Sequence, residues 1–196
     1  MISTIIINKI LNDPEVVVYI QQKLSISPQT SITNTNTYDF RDGNGPVPAH
    51  QHVNPDGSVG GWIADTAQVA ATAYIGPDAV VFGNAQVYGS AQVCGSALVS
   101  ENARVYGFAQ VFGSAQVYGY AWVYGSAQVY GNARVYGFAQ VSGHAWVFGY
   151  AWVFGYAWVS GHAQVSENAL VYGHALVSEN ARVFEDAQVS RYEVRK

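Results

Sequence analysis

An aliphatic residue stands at every sixth position from Ile63 to Val189, over 21 consecutive steps without an insertion. Alanine lies two residues before nearly every one of them, so the unit reads Ala-x-Val-x-Gly-x, as in residues 85–90. Within a unit, Ala and Val alternate with other residues at the period of two that is typical of a β-strand. Glycine tolerates positive φ and allows a sharp corner after each strand. Strands this short bury too little alone, so the units are predicted to stack as coils of a β-solenoid with a core of Val and Ala.

At three units glutamate replaces the corner glycine and is followed by asparagine, which gives the pairs Glu101-Asn102, Glu167-Asn168 and Glu179-Asn180. Asparagine is the residue that tolerates positive φ best after glycine. We therefore predict that at these corners the positive φ moves one place along, to the asparagine.

The units at residues 75–80 (Ile-Gly-Pro-Asp-Ala-Val) and 129–134 (Val-Tyr-Gly-Asn-Ala-Arg) resemble the hexapeptide repeats of bacterial acyltransferases and gamma-class carbonic anhydrases. The resemblance covers roughly residues 62–190 and implies an all-β fold, a left-handed parallel β-helix that forms a triangular β-solenoid of about seven coils of 18 residues. The family usually has glycine directly after the aliphatic residue, whereas here glycine follows one place later, except at Gly76. Handedness rests on the resemblance, because the general crossover rule favours the right hand.

Residues 18 apart are expected to stack, which sorts the outward side chains into three faces. The most apolar one is the predicted self-association face, with Phe82, Tyr118, Tyr136, Trp152, Phe154, Leu170 and Tyr172. A second aromatic face holds Tyr88, Tyr106, Trp122, Tyr124 and Trp158, and the third face carries Phe112, Tyr130, Trp146 and Phe148 among glutamines. Large exposed apolar patches usually mark contacts. The plain alternative is that the rings only stack along the surface, at about 0.2–1 kcal/mol per cross-strand pair.

Residues 1–61 differ in composition from the repeat. Asp13-Pro14-Glu15 is typical of a helix start, and the spacing that follows predicts a short amphipathic helix over residues 14–24. The β-branched Val16–Val18 makes a strand the alternative. We expect a polar linker over residues 25–37 and a Gly/Pro-rich capping or attachment loop over residues 38–61. The β-helix is assigned to residues 62–190 and a charged tail to residues 191–196.

The capping loop contains one candidate metal site. His50 and His52, two apart in an extended segment, are expected to point to one side, where Asp42 or Asp56 would complete a site for a divalent metal. The alternative is an ordered cap in which the histidines bond to the backbone.

A second candidate is the corner pair of His144 and His162, which lie 18 residues apart and are expected about 5 Å apart. Such a pair could bind metal or titrate together, or form only a polar ladder. The resemblance to gamma-class carbonic anhydrases would require three converging histidines, and the resemblance to acyltransferases would require loops that interrupt the coils. The repeat has neither, so no catalytic residue and no cofactor is predicted.

Only 22 of the 196 residues are charged, and the net charge is −4. Such a chain has no basic field for nucleic acid, and no stretch reaches transmembrane length. The first residues lack the features of a classical signal peptide, and the compartment stays open between the cytoplasm and an exported or virion assembly. The single cysteine, Cys94, excludes a disulfide scaffold.

We expect a non-catalytic structural or assembly protein whose partner is itself. A homotrimer is the first choice, because the family it resembles forms trimers with parallel axes, and an end-to-end filament or fibre is the alternative. An acyltransferase-like enzyme is the second hypothesis. A carbohydrate- or surface-binding module is the third, because flat outward tryptophan rings suit sugars.

Overall fold

The computed structural model describes residues 36–191 and 193–195. These residues form an all-β parallel solenoid of about seven coils, as the repeat predicts. They contain no helix, and so none that is long and apolar enough to cross a membrane. The helix predicted over residues 14–24 and most of the predicted linker lie outside the described residues.

Three sheets run the length of the solenoid, and successive strands of the chain join them in rotation. Sheet 1 contains β1 (Thr37–Tyr38), β2 (Val47–Val53), β3 (Val59–Ala64), β6 (Val80–Val81), β9 (Leu98–Val99), β12 (Gln116–Val117), β15 (Arg134–Val135), β18 (Trp152–Val153), β21 (Leu170–Val171) and β24 (Gln188–Val189). Sheet 2 contains β4 (Gln68–Val69), β7 (Gln86–Val87), β10 (Arg104–Val105), β13 (Trp122–Val123), β16 (Gln140–Val141), β19 (Trp158–Val159), β22 (Leu176–Val177) and β25 (Glu193–Val194). Sheet 3 contains β5 (Tyr74–Ile75), β8 (Gln92–Val93), β11 (Gln110–Val111), β14 (Gln128–Val129), β17 (Trp146–Val147), β20 (Gln164–Val165) and β23 (Arg182–Val183).

The register between coils is 18 residues throughout the repeat. Arg104 of β10 pairs with Gln86 below it and with Trp122 above it, and Val105 pairs with Val87 and Val123 in the same way. The Ala and Val of each unit point inward and are fully buried in the central coils. The predicted core and the predicted stacking of equivalent positions are therefore confirmed.

The corners correct one prediction. Positive φ stays on the glutamate, at 59° for Glu101, 57° for Glu167 and 61° for Glu179. The reason is the hydrogen-bond ladder along the corner: the N–H of Asn84 donates to Glu101 O at 2.7 Å, and the N–H of Asn102 donates to Gly119 O at 2.9 Å. Because each corner must match the coils above and below it, the backbone keeps one conformation whichever residue occupies it.

Much of the segment expected as a capping loop is strand. β2 and β3 form an antiparallel hairpin at the N-terminal edge of sheet 1, and β3 extends across the boundary predicted at residues 61 and 62. Gly60 and Gly61 lie within β3, where a Cβ on Gly61 would collide with the backbone oxygen of Ala79. These glycines allow two backbones to approach closely and do not form a turn. Glycine is also common in loops, and for that reason the composition suggested a loop here.

The hairpin also closes the N-terminal edge of sheet 3. The side chain of Asn54 takes the place of a neighbouring strand: it accepts a hydrogen bond from Ile75 N at 2.8 Å and donates one to Ile75 O at 3.1 Å. His52 Nε2 lies 3.1 Å from Ala73 O on the same strand edge. At this end sheet 1 therefore ends in β1, sheet 2 ends in β4, and the end strand of sheet 3, β5, is covered by the Asn54 side chain.

Candidate functional site

The outward side of sheet 1 carries a continuous column of four stacked rings. The column contains Tyr118, Tyr136, Phe154 and Tyr172, with ring centroids 4.9, 4.9 and 5.2 Å apart and planes within 7° of parallel. Trp152 stands beside it and is 37% exposed, with the guanidinium of Arg134 5.1 Å from the centre of its ring. We call these residues, together with Leu98 and Leu170, the sheet-1 face.

The lower end of sheet 1 is covered by the chain itself. Phe40 stacks on Phe82 at 4.9 Å, and Tyr38 stacks on Trp62 at the same distance. Phe82 is only 9% exposed as a result. Phe82, which was predicted to belong to the self-association face, therefore already has its ring covered by Phe40 of the same chain.

Sheet 2 carries a shorter column, Tyr88–Tyr106–Tyr124, with ring centroids 4.9 and 5.0 Å apart. The Arg104 guanidinium lies 5.2 Å from the centre of the Trp122 ring. Ser142 takes the place of a ring at the next position of this column, and the Nε1–H of Trp158 donates to its Oγ at 3.3 Å.

Sheet 3 carries the column Phe112–Tyr130–Phe148, with spacings of 4.8 and 4.9 Å. Its outward residues between β8 and β20 include no charged side chain. Burial within the columns raises the pKa of the tyrosine phenols on all three sheets, at Tyr106, Tyr118, Tyr130 and Tyr136. The columns are therefore built from neutral phenols as well as phenylalanine.

A fourth column of rings follows the corner between sheets 1 and 2. It was not predicted from the sequence, because only the outward strand positions, and not the corner residues, were assigned to faces. Tyr120, Phe138, Tyr156 and His174 are spaced 5.1 Å apart, and the first three are 53%, 49% and 59% exposed. A groove of about 480 Å³ lies between this column and the outward residues of sheet 2. We call it the corner groove. The period of 18, applied to the second corner residue, would have revealed the column in the sequence.

The corner histidines meet as expected. The rings of His144 and His162 are 5.0 Å apart, both exposed, at the edge of a groove of about 320 Å³ that also touches Trp146. Within the described residues no group of three or more His, Cys, Asp or Glu side chains could hold a metal ion. The pair therefore stands without a third ligand of these types in that part of the chain.

His50 and His52 do not share a side of β2, contrary to the expectation. A register shift between Gln51 and Val53 interrupts the alternation. His50 is exposed with its Nδ1 2.8 Å from Asp65 Oδ1, whereas His52 is buried against the backbone of sheet 3.

The two predicted acidic partners are engaged within their own turns. Asp42 accepts hydrogen bonds from the backbone and side chain of Asn44, and Asp56 accepts them from the side chain and backbone of Ser58. These bonds lower the pKa of both carboxyls. The geometry fits an ordered cap, which was the alternative to the metal site.

Comparison with known proteins adds one short match. A family model described as "YdcK Beta solenoid repeat" matches residues 127–137, which include β14 and β15. No curated protein and no solved structure matches the chain. Over these residues the chain is similar to a solenoid repeat, which agrees with the parallel β-solenoid of the structure.

Proposed function

We propose that the protein is a non-catalytic structural β-solenoid that associates side by side with copies of itself through the sheet-1 face, as a closed homotrimer. The observation that carries the proposal is the continuity of this face. At its lower end Phe40 already covers Phe82 within the chain. The coils above present the same kind of ring surface, and no described residue covers them in this way. A second copy would complete for the upper coils what Phe40 does for the lowest one.

The finer details of the fold belong to the same proposal. We infer a left-handed solenoid of triangular cross-section, related to the hexapeptide-repeat proteins. Six-residue units, three sheets and an 18-residue register support this assignment. Parallel trimers are the assembly that the resemblance implies.

The size of the face favours a trimer over a dimer. Five coils of four extended residues, at about 4.8 Å between strands and 3.3 Å per residue, give a flat area of roughly 300 Å². Each partner buries about 800 Å² in an interface of standard size. In a closed trimer every chain contacts two others, so the area buried on a second surface adds to the area buried on the sheet-1 face. Sheet 3 is the complementary surface, because interface cores are depleted of charge and its outward residues from β8 to β20 carry none.

Association along the axis is less favoured. Unpaired strand edges invite end-to-end growth, but at the N-terminal end sheet 1 turns antiparallel and ends in the two-residue β1, and Asn54 covers sheet 3. At the other end the chain carries Glu185, Asp186 and Arg191. A closed lateral assembly is therefore proposed in preference to a filament.

The test is the mass of the purified chain in solution, measured by light scattering after size exclusion and by sedimentation velocity at micromolar concentration. Three chain masses are expected for the native protein. Phe154→Lys inserts a charge into the sheet-1 face and is expected to give a monomer. Tyr88→Lys is the matched control, because Tyr88 is 39% exposed and holds the same position of the unit as Phe154, but on sheet 2, which takes no part in the proposed contacts.

A native chain that sediments as a monomer at these concentrations would refute the proposal. The same holds for a trimer that survives Phe154→Lys, or for one that Tyr88→Lys dissociates equally. Circular dichroism of both variants establishes that the solenoid is intact, so that loss of the fold is not mistaken for loss of association.

A further inference from the structure

We propose that the corner groove is a binding site for an extended, uncharged, β-linked polysaccharide. Polysaccharides of this kind present C–H surfaces and hydroxyl groups along one chain, and they need a site with aromatic and hydrogen-bonding walls. The groove has both, and it runs along the solenoid over several coils. The inference is independent of self-association, because the proposed contacts use sheets 1 and 3.

The first wall is the exposed aromatic column. Tyr120, Phe138 and Tyr156 repeat at 5.1 Å, so that the wall offers a regular series of ring edges to a linear polymer. Tyr120 begins the series, because the residue one coil below it is Asn102. The wall therefore changes there from aromatic rings to the Asn102 amide, and one sugar unit of the proposed ligand would contact both.

The second wall is polar and lies on sheet 2. In the described structure no hydrogen bond engages the side-chain amides of Gln86, Asn84 or Asn102, so their donors and acceptors remain for a ligand. Gln140 accepts a bond from the Tyr124 hydroxyl at 3.3 Å through Oε1, which leaves its NH₂ group to donate. This wall also includes the Trp122 ring, with the Arg104 guanidinium 5.2 Å from its centre. Amides and one fixed guanidinium suit hydroxyl groups.

Charge and backbone pairing decide between a polysaccharide and other polymers. Arg104 is the only charged residue in the groove, which is too little for a nucleic acid. A peptide that binds by adding a strand to the sheet would need free main-chain partners. Here the strands of sheet 2 pair on both sides, and the corner N–H of Tyr120 donates to Gly137 O at 2.7 Å. Sugar hydroxyls require only the side chains that the groove supplies.

The experiment is isothermal titration of the full chain with three defined probes: cellohexaose, xylohexaose and β-1,4-mannohexaose. Saturable binding of at least one of them is expected. Phe138→Ala should weaken that binding by about tenfold, because it removes the middle ring of the wall. Phe108→Ala is the control and should leave binding unchanged, since Phe108 is an equally exposed corner phenylalanine on another edge of the solenoid.

Gln86→Ala provides a second variant that leaves every ring in place, and it too should weaken binding by several-fold. Absence of binding to all three hexasaccharides at millimolar concentration overturns the proposal, as does binding that neither Phe138→Ala nor Gln86→Ala reduces. A decaproline peptide is titrated in parallel. Binding of that peptide with the same sensitivity to Phe138→Ala, in place of the sugars, would reassign the groove to a peptide.

Discussion

Asn54 is the residue whose removal tests the architecture most directly. It is 3% exposed and makes three side-chain hydrogen bonds, two of them to the backbone of Ile75 and one to Ser58 Oγ at 3.0 Å. Asn54→Ala leaves both polar groups of Ile75 without a partner at the covered edge of sheet 3. A net hydrogen bond contributes about 1 kcal/mol and a buried unpaired group costs about 1–3 kcal/mol. We expect the free energy of unfolding to fall by roughly 3 kcal/mol.

For a unit of this size, 1 kcal/mol corresponds to a shift in Tm of about 2–4 °C, so the variant should melt roughly 6–12 °C below the native protein. Asn132→Ala is the control, because Asn132 is exposed at a corner and no side-chain bond engages it in the described structure. Hydrogen exchange locates the effect: the Ile75 amide should exchange faster in Asn54→Ala and be unchanged in Asn132→Ala.

A pH series sharpens the same test. Asn54→Asp keeps the acceptor for Ile75 N but turns a carboxylate toward Ile75 O, which raises the carboxyl pKa in the folded state. The penalty should therefore be large at neutral pH and shrink as the pH falls through that raised pKa, where the protonated acid can donate. If Asn54→Ala has the same Tm as the native protein and the same hydrogen exchange at the Ile75 amide, the view that a side chain replaces a strand here is refuted.

Three further outcomes are expected. Val129→Ala, in the middle of the core, should lower the free energy of unfolding in urea by roughly 2–3 kcal/mol, and Val189→Ala in the partly buried last coil by less than about 1 kcal/mol; equal losses would contradict the burial gradient. Glu101→Gly should raise the free energy of unfolding by about 0.5–1 kcal/mol, because glycine adopts the left-handed backbone conformation at this corner without strain. A decrease in the free energy of unfolding would argue against strain at Glu101. Burial and the neighbouring Tyr88 and Tyr124 raise the pKa of Tyr106, so the neutral phenol's contribution is complete below about pH 10 and is lost as the pH rises through the raised pKa. Absorbance titration should show a later phenolate transition in the native protein than in Tyr106→Phe, and identical curves would exclude the shift.

The repeat could be predicted from the sequence because its information is local and periodic. A valine at every sixth position specifies both the inward side and the partner strand, so that the pairing of Arg104 with Gln86 and Trp122 follows from counting alone. Because no insertion interrupts the coils, few alternative strand pairings are possible. The same logic explains why the 5 Å separation of His144 and His162 was predicted.

The cap could not be predicted in this way. Asn54 meets Ile75 only after the hairpin folds back on the first coil, and a single asparagine in a Gly/Pro-rich segment carries no signal of that contact. The prediction for the corner glutamates was wrong for a related reason. A local preference for positive φ at asparagine is outweighed by the ladder that ties each corner to its neighbours.

The constant register has a consequence for the length of the molecule. Because each central coil contacts only the coils before and after it, removing or duplicating 18 residues between β7 and β22 would bring equivalent positions together again and leave both ends unchanged. The protein can therefore grow or shorten in increments of about 4.8 Å. A change of six residues would instead shift every later strand to the next sheet and break all the ring columns at that point. Insertions and deletions tolerated in this chain should accordingly come in whole coils.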